Sequence, residues 1–144
     1  MTVGALEVRP AAPEDLDAVW LLARELAVSG TPSRAGFTAT FTALRDRTTS
    51  LLLVATDHGV VCGYLLAHRH ETFHVDGPVA WGEEMVVAPA HRGRGVGRAL
   101  MRAAETWALD QGCRYVALAS RRAGGFYLAL GFDESAVFYK KPLP

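Results

Sequence analysis

The chain has 144 residues, half of them hydrophobic, which suits one domain with a substantial core. Fifteen Lys and Arg balance fifteen Asp and Glu, so no global field draws the protein to nucleic acid or to an anionic membrane. Its two cysteines, Cys62 and Cys113, lack CxxC spacing, which argues against a zinc site or disulfide framework and reads as two small core residues.

The chain opens with Leu6-Glu7-Val8-Arg9, a short alternating strand closed by Pro10 and Pro13. Leu16, Val19, Trp20, Ala23, Leu26 and Ala27 follow at helical spacing, and Ser29-Gly30-Thr31-Pro32 breaks that helix. Ser33 can cap a second helix with Phe37, Phe41 and Leu44 on one face. Leu51 to Ala55 and Val60 to Ala67 predict two strands joined by an Asp57-His58-Gly59 turn. A His-rich loop runs from His70 to Pro78, and Val79 to Ala88 predicts a third long strand. A helix carries Val96, Leu100, Ala103, Ala104, Trp107 and Ala108 on one face and stops at Asp110-Gln111-Gly112. Tyr115 to Ala119 predicts a strand, Ala123 to Leu130 a short helix with Gly131 past its end, and Ala136 to Lys141 a last strand. The order β-α-α-β-β-β-α-β-α-β predicts an α/β fold, one mixed sheet with helices on its faces. No apolar run approaches the ~18 residues of a membrane span. The N-terminus shows no basic segment followed by an apolar one, so the expectation is a soluble, cytoplasmic protein.

Between the third long strand and the long helix lies "AHRGRGVGR", in which Arg92 to Arg98 holds three glycines and three arginines. A P-loop would need GxxxxGK[ST] and a dinucleotide fingerprint GxGxxG; neither is present. The pattern that fits is R-x-x-G-x-G, from Arg92, Gly95 and Gly97. A helix beginning near Gly95 offers unpaired N–H groups and the positive end of its dipole. Glycines let a pyrophosphate approach those amides, and Arg92, Arg94 and Arg98 can add charge-assisted bonds.

With "VRPAAPEDLDAV" near the start, "EEMVVAPAHRGRGVGRALM" in the middle, "AGGFYLALGF" later and "ESAVFYKKPL" near the end, the sequence resembles the GNAT superfamily of acyl-CoA-dependent N-acetyltransferases. The resemblance implies a single domain over 1–144. Its sheet would be mixed and mostly antiparallel, with helices on its faces and a splayed parallel strand pair, Val79–Ala88 and Tyr115–Ala119, forming an acyl-CoA cleft. It implies that amides of Arg92, Gly93, Arg94, Gly95, Val96, Gly97 and Arg98 hold the coenzyme A pyrophosphate. Backbone groups of Met85, Val86 and Val87 would pair with the pantetheine arm, one of them polarising the thioester. Ser120 stands where many members have an arm-binding Asn and reaches less far. Phe126 would pack on the arm, unless it is only core.

An acceptor alkylamine has a pKa of about 10.4 and must lose a proton before it attacks. Glu83 and Glu84 are the candidate bases. Adjacent strand residues face opposite ways. Glu83 shares parity with Met85 and Val87 and matches the family position for an acid, so it is preferred, with Glu84 second. Tyr127, in the A-x-x-F-Y pattern, is the candidate general acid toward the leaving thiolate. Gly124 and Gly125 read as permitting close approach or mobility at the cleft. Arg121 and Arg122 suit either phosphate contact or solvation.

The expected activity is transfer of an acetyl group from acetyl-CoA to a primary amine of a small molecule or peptide, without a metal. A non-catalytic acyl-CoA-binding module is the alternative. His68, His70 and His74 have H-x-H-x₃-H spacing but no accompanying cysteine, and a polar loop or substrate-side wall is preferred to a metal site. The acceptor would lie near Val28 to Phe37, His70–Pro78 and Asp133–Ala136. Thr31, Arg34, Phe37, Phe73, His74 and Asp76 do not make a strongly anionic groove, so residue content does not specially indicate an aminoglycoside. A homodimer is compatible with the resemblance; no nucleic acid or membrane partner is expected.

Overall fold

The structure, a computed structural model, describes residues 5–26, 30 and 32–144. Ala27, Val28, Ser29 and Thr31, which belong to the predicted first helix end and acceptor turn, lie outside the described residues. Among the described residues five strands form one sheet in the order β1-β2-β3-β4-β5: β1 is Leu6–Pro10, β2 Ser50–Asp57, β3 Val60–His70, β4 Val79–Val87 and β5 Val116–Leu118. β1 through β4 pair antiparallel, and β4 pairs parallel with β5.

Among the described residues four α-helices cover the sheet: α1 Leu16–Ala23, α2 Arg34–Asp46, α3 Val96–Asp110 and α4 Gly124–Ala129. The apolar stripes read from the sequence are what these helices bury. Val19 and Leu22 of α1 and Phe41 of α2 pack with Leu52, Val54, Tyr64, Leu66 and Val86 in one cluster. Val96, Leu100, Met101 and Ala104 of α3 pack in a second cluster with Leu53, Ala55, Cys62, Leu65 and Ala67. Neighbouring positions on β2 and β3 feed different clusters, as the two-residue strand period requires, so the sheet is buried on both faces.

Local chemistry sets the element ends. The Ser33 hydroxyl accepts from the Gly36 amide at 3.0 Å and caps α2. His58 and Gly59 both have positive φ, 50° and 79°, as a tight two-residue hairpin turn demands. Asp15, buried ahead of α1, accepts from Arg9 at 2.6 and 3.0 Å and from the Ala12 amide at 2.7 Å. The Arg9 bond holds its carboxyl below the usual range against the cost of burial.

Two expectations are corrected. Ala136 to Lys141 is not a strand: Val137, Phe138 and Tyr139 are exposed at 74, 57 and 87 %. β5 has only three residues, too short an edge to template a further strand along that segment. Second, strict alternation fails on β4. Leu66 pairs with Glu84 but Ala67 pairs with Gly82, so Glu83 is the extra residue of a β-bulge. A Cβ built on Gly124 or Gly125 meets nothing within 4 Å of the described chain, so the fold itself does not demand glycine there.

Candidate active site

β4 and β5 pair only where Ala80, Trp81 and Gly82 face Val116, Ala117 and Leu118. Beyond Gly82 the two strands part, and the β5-side edge of Glu83 to Val87 has no strand partner among the described residues. A cavity of about 540 Å³ opens beside this fork. Met85, Val86 and Val87 line one wall, and Phe126 of α4 lines another. Arg92, Gly93, Gly95, Val96, Gly97 and Arg98 line the end at the α3 N-terminus.

The turn before α3 is built to leave amides free. Gly95 takes the N-cap place with φ 84°, a left-handed conformation that side-chain-bearing residues avoid. Gly97 lies within the first turn, where an added Cβ would stand 3.1 Å from the Phe126 ring and 3.5 Å from the Met85 methyl. A side chain there would fill the floor of the cavity. No side chain caps α3, so its first amides and dipole face the cavity end. These features fit a diphosphate. The turn is anchored from behind by His91, whose Nε2 lies 3.2 Å from the Asp57 carboxylate. The Arg92 guanidinium donates to the Val87 carbonyl at 3.2 Å and faces Glu25 at 3.6 Å.

The structure thus brings Met85 to Val87, the glycine-arginine turn and Phe126 to one cavity; Arg94, Ser120, Glu83, Glu84 and Tyr127 stand outside its lining. Ser120 is exposed, and its hydroxyl accepts from the Ala123 amide at 3.0 Å, at the start of α4. Arg121 and Arg122 are exposed and also outside the lining. Glu25, Leu26, His91 and Ala123 line the cavity without having been singled out in the sequence. His91 was visible inside the glycine-arginine stretch; Glu25 and Leu26 reach the site through tertiary packing alone and carry no local motif.

The two acids part company. Glu83, at the bulge, is about half exposed; its Oε2 accepts from the Trp81 indole at 3.1 Å and its Oε1 lies 3.9 Å from His68 Nε2. Glu84 accepts from the Tyr64 hydroxyl at 2.7 Å and lines a separate cavity of about 190 Å³ against α2. Burial and the Glu84 charge push the Tyr64 phenol far above its usual range. Tyr127 is half-buried, with its ring edge-on to Phe126 and Phe132 at 5.0 and 5.6 Å. It packs beside the cavity-lining Phe126, and burial raises its phenol.

The three histidines of the H-x-H-x₃-H spacing do not converge: His68 meets Ser50 and Glu83, while His74 meets Thr72 and Tyr115. Among the described residues no three His, Cys, Asp or Glu side chains gather as a metal site. No described helix is long and apolar enough to cross a membrane.

Known proteins share this architecture. The glucosamine-6-phosphate N-acetyltransferase of Arabidopsis thaliana superposes with a TM-score of 0.85 over 96 % of this chain and 99 % of its own, at 19 % identity, a likeness of fold. The aminoglycoside N-acetyltransferase AAC(6')-Iy in complex with CoA gives a TM-score of 0.82 at 25 % identity, covering 96 % of this chain and 95 % of that one. The aminoglycoside N(6')-acetyltransferase type 1 of Stenotrophomonas maltophilia is 33 % identical over 109 residues, 69 % of this chain and 71 % of that protein. Residues 19–132 match the Acetyltransferase (GNAT) family. On its fork, its glycine-punctuated turn and these matches, the chain belongs to the acetyltransferase (GNAT) family.

Proposed function

We propose that this enzyme moves the acetyl group of acetyl-CoA to an amine of an aminoglycoside, as a single domain over residues 1–144 acting in the cytoplasm. The single observation that carries the donor half is the 540 Å³ cavity joining the fork of β4 to the uncapped start of α3. The acceptor half rests on the curated relatives, which are aminoglycoside N(6')-acetyltransferases. Residue content did not indicate that acceptor class. The half-exposed Glu83 carboxylate beside the fork suits it chemically, because an ammonium needs a counter-charge before it needs a base. These relatives are transferases and give no support to a non-catalytic module.

In this reading the amides of Gly95, Val96 and Gly97 hold the diphosphate, with Arg92 and Arg98 contributing charge. Backbone groups of Met85 to Val87 on the open edge of β4 continue the sheet onto the pantetheine arm, and one of their amides polarises the thioester carbonyl. Phe126 packs on the arm. Glu83 draws in the acceptor ammonium and takes its proton, directly or through water. The free amine attacks the acetyl carbon, the C–S bond breaks as Tyr127 protonates the departing sulfur, and the second proton shed by the nitrogen returns through water to the Tyr127 phenolate. A phenol is protonated at neutral pH, the state an acid needs, and burial of Tyr127 shifts it further that way.

Thiol release from acetyl-CoA, followed against a panel of aminoglycosides including sisomicin, small primary amines and a peptide N-terminus, tests this. Turnover confined to the aminoglycosides is the expected result. Turnover with the small amines or the peptide alone would overturn the acceptor class, and failure to bind acetyl-CoA at millimolar concentration would overturn the donor site. Glu83→Gln is expected to lower turnover by about 10²-fold or more.

A further inference from the structure

His68 comes from a histidine motif that the proposed chemistry leaves unused, yet it stands directly across the sheet from Trp81 in the β3–β4 register. The bulge between these strands inserts Glu83 just past that pair. Bulges re-aim side chains, and here the carboxylate falls between two ring nitrogens from two different strands. The Trp81 indole N–H donates to Oε2 at 3.1 Å, and His68 Nε2 lies 3.9 Å from Oε1. His68 is itself held from behind, since its Nδ1 lies 3.1 Å from the Ser50 hydroxyl on β2. The Glu83 carboxylate can only accept, so a neutral ring bonded to it carries its hydrogen on Nε2 and leaves Nδ1 to accept from the Ser50 hydroxyl. The Trp81 ring stacks on Phe138 at 6.4 Å. Among the described residues Glu83 is the sole carboxylate within ion-pair distance of His68, which also meets the neutral Ser50 and pairs across the sheet with Trp81.

We propose that Ser50, His68 and Trp81 form a clamp that holds one oxygen of Glu83 on each ring N–H and fixes the carboxylate toward the acceptor amine. His68 and Trp81 are positioning residues; neither touches the reacting atoms. The 3.9 Å separation closes to a hydrogen bond when the acceptor is bound, as catalytic contacts commonly tighten in the substrate complex. Two fixed donors leave the outward lone pairs of both oxygens for the ammonium. They also restrict a side chain that, on an exposed strand, would otherwise sample several rotamers. This inference rests on Glu83 serving as the base, but the clamp itself is a structural arrangement that can be read without turnover.

The experiment uses the full chain and two readouts. In a ¹H–¹⁵N spectrum the Trp81 indole resonance, assigned by its loss in Trp81→Phe, should shift upfield in Glu83→Gln. An indole resonance that stays put overturns the clamp. In kinetics on the best amine of the panel, His68→Leu should lower kcat by about tenfold with acceptor KM within about twofold. His68→Gln, which restores an N–H donor, should recover most of that loss, and both effects should vanish in the Glu83→Gln background. Equal losses in the Leu and Gln variants, or undiminished losses without Glu83, overturn the inference. Should Glu83→Gln retain full turnover, the base assignment falls alone, and the indole resonance still decides the clamp.

Discussion

Replacing Gly97 by alanine adds one methyl group where the Phe126 ring is 3.1 Å away. Overpacking of this kind costs about 1–3 kcal/mol. Here the cost falls on the donor cavity, so donor KM should rise about tenfold, read from thiol release at saturating acceptor. An unchanged donor KM would remove Gly97 from the site. Asp15 makes a stability prediction with a definite sign. Its folded pKa is lowered, so its pairing with Arg9 stabilises the fold above the usual carboxylate range and is lost as pH falls through the folded value. Arg9 is about a third exposed, so Asp15→Asn should cost about 2 kcal/mol at neutral pH, less than a fully buried pair. Denaturant melts at pH 7 and pH 3 check it: the gap between wild type and variant should narrow in acid. Asp15 was not visible as a partner of Arg9 in the sequence, because nothing local says that a charge before a helix will be buried.

At the scale of elements, the start of α3 concentrates the donor chemistry. Arg92→Ala and Arg98→Ala should each raise donor KM several-fold, more at low salt than at high salt, as screening requires. Glu25→Ala should act in the opposite direction: it removes an acid 3.6 Å from Arg92 and lowers donor KM about twofold. A rise in donor KM on Glu25→Ala would mean that the acid positions Arg92 for the phosphate rather than competing with it. The helices were legible because their apolar stripes and breakers are local signals: Ser33 capped α2 and Gly95 began α3 as read. β4 was legible as an element but not in its register. Leu66 and Ala67 skip one residue across the sheet, and no residue in Gly82-Glu83-Glu84 announces that a bulge falls there. Parity alone therefore could not tell that Glu84 faces Tyr64 and the α2 side while Glu83 meets His68 and Trp81.

For the whole molecule, the cavity draws on the turn at Arg24–Leu26, on β4, on the approach to α3 and on α4, segments spread from Glu25 to Phe126. A ligand bridging them binds the folded state alone. Acetyl-CoA at a hundred times its Kd should therefore stabilise the protein by about 2.7 kcal/mol, a thermal shift of several degrees. A donor that binds without raising Tm would place it outside this cavity. The glycine-arginine turn, Met85 to Val87 and Phe126 could be picked from the sequence because a motif names them. Glu25 and Leu26 could not, since only packing of the segment after α1 onto the α3 turn brings them in.

The parting of β4 from β5 leaves a length of an inner strand with an open edge, as an outermost strand has. Such an edge is a template for any extended chain, including another copy of itself. Storage without acyl donor should therefore favour slow self-association through that gap, and a small excess of coenzyme in the buffer should suppress it, as light scattering over days would reveal.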